Sequence, residues 1–287
     1  MFRRQIPIGR DYFVKYPQND WHPHLIDPSG ERANRSEELG LTMLIDKGIS
    51  IGLFEELLQL AGQYIDYIKL GFGTTMLYPM ELLQKKIRLA KKANVILYPG
   101  GTLFEIASHK GLIKEYFYFL KKVGFDHVEI SDGTIDMPSS KRRKCILEAV
   151  NQGFTVITEH GKKATGSQIE VKELKRTLYS DLECGASYMI VEGRESGEDV
   201  GIYNSKGIID KEFLHDIEKM IPKHMRNYLI WEAPQKQQQN DLIHFWGRNV
   251  NLGNIHFEDA FNLECLRRGL RFDTFLTDRP GPILQTD

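Results

Sequence analysis

Seven carboxylates, Asp46, Glu105, Glu129, Asp132, Glu159, Glu192 and Glu232, stand at or just after the ends of short apolar runs. Lys47, Lys69, Lys163 and Arg194 occupy the same kind of position. Carboxylates gathered in one place raise one another's pKa unless cations intervene. The basic residues supply part of the compensation, and a divalent cation is a natural source of the rest. Hard oxygen ligands with no convergent His or Cys set favour Mg2+ over zinc. The competing assignment makes two or three of the acids structural partners of the lysines and arginines.

Glycines recur in the same places: PGGT at 99–102, SDGT at 131–134, GRESG at 193–197 and LGN at 252–254. Such loops let backbone N–H groups approach a phosphate or carboxylate closely. A small anionic ligand is therefore expected. His160 and His244 are read as structural or solvent-facing, and His22 and His24 form no catalytic pair. The aromatic run at 115–120 reads as core packing, and the basic run at 141–144 as a solvated helix start.

The elements that would position these residues repeat eight times. LTMLIDKG, YIDYIKLGFGT, ANVILYPGGT, FDHVEISDG, FTVITEHGKK, ASYMIVEGRESG, NYLIWEAP and NVNLGNI read as buried parallel strands. An amphipathic stretch follows each, with apolar residues at three- and four-residue steps. Glycines after KKV, NQ, LEC and HFW are expected to cap helices. The expected fold is a single-domain α/β (β/α)8 TIM barrel over 41–275, with its chemistry at the C-terminal ends of the strands. An irregular arm precedes it over 1–40, where prolines are closely spaced, and a loose tail follows over 276–287. A doubly wound sheet would show a glycine-rich fingerprint after the first strand, and DKGISIG is not one.

Bulk properties fit that reading. The 287 residues exceed the roughly 250 that a barrel needs. A net charge of −1 gives no global field for nucleic acid or an anionic membrane, so cations must be concentrated locally to bind an anion. Neither partner is expected. Cys145, Cys184 and Cys265 fall in helical segments without metal spacing, as small buried side chains in a reducing compartment would. No segment has the length of a signal peptide core or a bilayer span, so a cytoplasmic protein is expected.

Taken in order, the motifs resemble the phosphosulfolactate synthase family. The stretches are DKG (46–48), YIDYIKLGFGT (64–74), YPGGTLFE (98–105), GFDHVEISDGT (124–134), GFTVITEHGKK (153–163), VEGRESG (191–197), IWEAPQKQQQ (230–239), NVNLGNI (249–255) and LECLRRGLRFDTF (263–275). The chain departs from the family at His160, usually a small apolar residue, at Phe72, usually Trp, and in its longer arm.

The resemblance implies a (β/α)8 barrel that adds sulfite to phosphoenolpyruvate with Mg2+. The product would be (2R)-O-phospho-3-sulfolactate, an early intermediate of coenzyme M or sulfolactate formation. It implies a carbon–sulfur lyase and, as the expected assembly, a homo-oligomer such as a trimer. Lys163, the last residue of the E-x-G-x-K stretch, would protonate C2, with its pKa lowered by desolvation and neighbouring cations. Glu159 and Lys47 would assist. Glu129, Glu159 and Glu192 are expected around the metal. Lys69, Arg194, Ser196, Gly197, Asn251, Asn254, Gly100 and Gly101 are expected at the phosphate, carboxylate or sulfite.

Two other functions compete. One is a different Mg2+-dependent lyase, mutase or isomerase acting on a phosphorylated enol or keto acid. A Schiff-base aldolase would need a lysine in a late strand, and none is there. The other is a barrel that binds without catalysing, which would be expected to lose its rim charges.

Overall fold

The computed structural model describes residues 21–33 and 39–275. The remainder of the expected arm (1–20 and 34–38) and the expected tail (276–287) lie outside the described residues. Eight parallel strands alternate with helices: β1 (Thr42–Asp46), β2 (Tyr67–Leu70), β3 (Ile96–Pro99), β4 (His127–Ile130), β5 (Thr155–His160), β6 (Ala186–Val191), β7 (Leu229–Glu232) and β8 (Leu252–Ile255). Their hydrogen-bonded order is β3-β2-β1-β8-β7-β6-β5-β4, and the two edges, β3 and β4, pack together to make a nearly closed barrel. The expected fold is the observed one.

Side chains alternate across a strand, so the residue type at every second position decides what fills the barrel. Leu41, Met43, Tyr67, Tyr98, Ile157, Ile190 and Ile230 form an apolar plug inside it. A larger apolar core lies between the strands and helices, as two-sided burial of parallel strands requires. The helix Ile113–Val123 buries Tyr116, Phe117 and Leu120 there, so the 115–120 run is core packing. It ends at Gly124, whose φ of +108° makes the left-handed cap that its position suggests.

Two findings were not foreseen. Short strands Ser167–Gln168 and Val200–Gly201 pair in parallel, joining the loop after β5 to the loop after β6. The described part of the arm packs at the opposite end of the barrel from these loops. There Ser29 N donates to Arg268 O, and Arg32 pairs with Glu264 and Asn249.

Candidate active site

Two residues beyond the apolar plug, the inward positions become charged. Tyr67 is followed by Lys69, Ile157 by Glu159, Ile190 by Glu192 and Ile230 by Glu232, each at the next inward step of its strand. Glu129 occupies the matching place on β4, two residues after His127, whose ring meets Tyr67 edge-on. Glu105, from the first turns of the helix Gly101–His109, completes five carboxylates that are each at most 2% exposed.

Two ammonium groups stand among them. Lys69 Nζ lies 2.7 Å from Glu232 Oε1, 3.3 Å from Glu159 Oε2 and 3.6 Å from Glu129 Oε2. Lys163 Nζ lies 2.9 Å from Glu159 Oε1, 3.6 Å from Glu105 Oε1 and 3.8 Å from Glu192 Oε2. Five carboxylates therefore face two ammonium ions. Buried charge costs several kcal/mol per ion unless it is paired, so this imbalance must show in proton affinities.

It does. Burial opposes charge on Lys69, yet Glu129, Glu232 and Glu159 outweigh it and hold the lysine firmly protonated. Burial likewise opposes ionisation of Glu159, but Lys163 and Lys69 prevail and keep its carboxyl low. Glu192 goes the other way: burial, then Glu159 and Glu232, push it well above the carboxylate range. Burial also raises Glu129, to about 8, against the pull of Lys69.

Glu159, Glu192 and Glu232 each offer one carboxylate oxygen, and these three oxygens lie within 4.8 Å of one another. The expected set held Glu129 in place of Glu232. Glu129 instead accepts from Gly101 N at 2.7 Å, bridging the β3–β4 seam, and faces Lys69. The recurring Ile-x-Glu step was the signal for Glu232.

Lys163 is a correction of environment. It was expected beside cations with a lowered pKa, but Glu159, Glu192, Glu105 and Glu129 outweigh its desolvation and raise it. Its loop is built from β4: Glu105 accepts from Ser131 Oγ, Gly133 N and Thr134 N, and Gly133 O accepts from Lys163 N. Lys162 is tied to the same loop, donating to Asp132 O and Ile135 O.

Among the expected ligand-binding residues, Arg194 is at the mouth. It is half-buried, with Nη1 3.5 Å from Thr165 Oγ1 and no carboxylate ion pair among the described residues. Asn254 is adjacent, its Nδ2 donating to Arg194 O at 3.1 Å. Ser196 and Gly197 are held from behind, their carbonyls accepting from Gln235 Nε2 and Gln238 Nε2. Gly100 and Gly101 are needed for close approach: a Cβ on Gly100 would sit 2.9 Å from Leu70 O, and the Gly101 N–H is already taken by Glu129.

Three expected residues are elsewhere. Lys69 is enclosed by carboxylates rather than offered to an anion. Lys47 is exposed on the turn after β1 and pairs with none of the five acids. Asn251 precedes β8 at the far end of the barrel, where it bonds Leu41 N, Asn227 O and Leu229 O. Its place before the strand, not after it, removes it from the mouth.

Other polar residues prove structural. Asp46 follows the inward Ile45 and so points outward, accepting from Gly48 N, Ile49 N, Tyr78 Oη and the fully buried Lys86. Arg142, from the run read as solvated, is 4% exposed and grips Asp181, Asp132 and Glu159 O, bracing the end of β5. His160 alternates with Glu159 and so faces away from the barrel interior. Burial, then Arg142, Arg176 and Lys162, lower it to about 4, so it is neutral at physiological pH.

Residues 30–273 match the model of the family (2R)-phospho-3-sulfolactate synthase (ComA). The chain is 41% identical over 238 residues to the phosphosulfolactate synthase of Methanocaldococcus jannaschii, covering 82% of this chain and 94% of that protein. To that of Bacillus subtilis it is 36% identical over 247 residues, covering 85% and 95%. Among solved structures, a putative fructose-1,6-bisphosphate aldolase from Coccidioides immitis superposes with a TM-score of 0.52 at 13% identity. It covers 85% of this chain and 94% of its own, and shares the barrel fold. No helix among the described residues is long and apolar enough to cross a membrane. With nearly the whole barrel matched, the chain belongs to the phosphosulfolactate synthase family.

Proposed function

We propose that this protein adds sulfite to phosphoenolpyruvate, giving (2R)-phospho-3-sulfolactate, with Mg2+ held by Glu159, Glu192 and Glu232. The observation that carries the reading is the excess of five buried carboxylates over two ammonium ions at the mouth of a barrel of this family.

The donors suit such an ion. All three offer hard oxygen, and Glu192 Oε2 is buried without a hydrogen-bond partner. Bound there, Mg2+ would supply positive charge opposite the negative charge that develops on the substrate carboxylate.

The chain's own residues account for the remainder. Both substrates are anions, and Arg194, whose guanidinium makes no carboxylate ion pair among the described residues, is suited to draw one in. The sulfur lone pair forms the bond to C3, and the C2–C3 π electrons move to C2 and its carboxylate. Lys163, kept protonated by Glu159 and Glu192, then gives its proton to C2 and regains one from solvent through its exposed side. Its high pKa is no bar, because a carbanion is a far stronger base than an amine. Glu105, through Gly133, fixes the loop that presents that ammonium.

The assay is phosphoenolpyruvate consumption by the purified protein. Loss should require both sulfite and a divalent cation. Undiminished loss after exhaustive EDTA exchange would overturn the metal assignment, and loss without sulfite would overturn the reaction.

A further inference from the structure

Two non-glycine residues at the mouth, Arg194 and Asn254, hold left-handed backbone, with φ of +56° and +54°. Arginine is uncommon in that region, and asparagine is among the residues that tolerate it best. The two are joined across the end of β7 by the hydrogen bond from Asn254 Nδ2 to Arg194 O.

The turn held in this way is the one that orients two carboxylates. Arg194 N donates to Glu192 Oε1 at 2.7 Å, and Gly193 N donates to Glu232 Oε2 at 2.9 Å. Both donors belong to the turn whose exit carbonyl, Arg194 O, Asn254 holds, so the three hydrogen bonds fix one turn together. The turn is also packed tightly on β7, since a Cβ on Gly193 would come 2.7 Å from Glu232 O.

Asn254 is 3% exposed, and its Oδ1 is buried without a partner. An unmade hydrogen bond of this kind costs about 1–3 kcal/mol. A residue chosen for packing would avoid that cost. The amide is therefore explained by what its Nδ2 does.

We propose that Asn254 is a positioning residue for the cation site: by holding the left-handed turn at Arg194, it sets Glu192 and Glu232 in the orientation that binds a divalent ion. The proposal rests on the reading of those carboxylates as ligands, and its test separates the two claims. Partners one step behind a metal ligand typically matter ten- to a hundredfold in affinity.

Mn2+ binding is measured by electron paramagnetic resonance for the wild type, Asn254→Gly and Asn254→Ser, with Tm recorded alongside. Glycine keeps the left-handed backbone, and serine keeps polarity one bond short of Arg194 O. Both variants should bind Mn2+ ten- to a hundredfold more weakly. Affinity within twofold of the wild type, whatever Tm does, would overturn the positioning role and leave the cation reading standing. A wild type that binds no Mn2+ would overturn both. Hydrogen exchange of the wild type gives a second measurement that needs no variant. Mn2+ should slow exchange at the Gly193 and Arg194 N–H groups, and unchanged exchange there would overturn the role.

Discussion

Lys163 Nζ lies 2.9 Å from Glu159 Oε1, so the carboxylate at the end of β5 holds the ammonium of the loop that follows it. The pair puts the expected proton donor at the mouth through a contact only four residues long. It also sets Lys163 apart from Lys162, whose ammonium turns to the carbonyls of the β4 loop.

Lys163→Ala should therefore lower kcat by about 10²-fold or more, as removal of a general acid does. Lys162→Ala should instead cost roughly 1 kcal/mol of stability through its lost hydrogen bonds, with kcat within a few-fold of wild type. Steady-state kinetics and thermal melts of the two variants check this. Equal losses of kcat would remove Lys163 from the role of acid.

Glu192→Gln and Glu232→Gln should each reduce kcat by about 10²-fold if they hold the cation. Their stabilities should part. The surroundings of Glu192 oppose its charge, so its amide should melt no lower than wild type. Glu232→Gln takes a charge from the buried Lys69 and should melt lower. A Glu192→Gln protein that loses activity only because it unfolds would contradict the assignment.

How far the site could be read from sequence follows from strand parity. Ile157, Ile190 and Ile230, each followed two positions later by glutamate, announce an apolar plug topped by acids, and the eight strand–helix repeats announce the barrel. The same rule, applied to Met43 and Ile45, would have sent Asp46 outward to its partner Lys86, a contact 40 residues away that no local pattern shows. Arg142 sat in a charged run, and only its distant partner Asp181 reveals it as buried. Asn251 was misplaced because the run around it is short and marks no direction: the strand begins at Leu252, so Asn251 stands at its entrance rather than its exit. The raised pKa of Lys163 depends on four acids from four different elements, which spacing along the chain does not express.

Asn251→Ala tests that corrected placement. Removing a buried amide that bonds Leu41 N, Asn227 O and Leu229 O should cost about 1–3 kcal/mol of stability. KM for both substrates should stay near wild type. A raised KM without a drop in Tm would return Asn251 to the binding site.

His160 gives a pH prediction with a definite sign. Its folded pKa of about 4 lies below the value near 6.5 expected when unfolded, so between these the unfolded chain binds the extra proton. The neutral histidine thus contributes stability that is complete above about pH 6.5 and lost as pH falls toward 4. His160→Ala should flatten that acid decline by up to about 3 kcal/mol, seen in urea melts across the range. Parallel decline in wild type and variant would show that His160 titrates normally.

The central claim is tested most directly by running the reaction in D2O with phosphoenolpyruvate, sulfite and Mg2+ and analysing the product by NMR and mass spectrometry. The account predicts a single product that keeps its phosphate ester, carries a sulfonate on C3 and holds one deuterium on C2, with none formed by Lys163→Ala above about one-hundredth of the wild-type rate. Release of inorganic phosphate, or turnover that leaves sulfite unused, would contradict it.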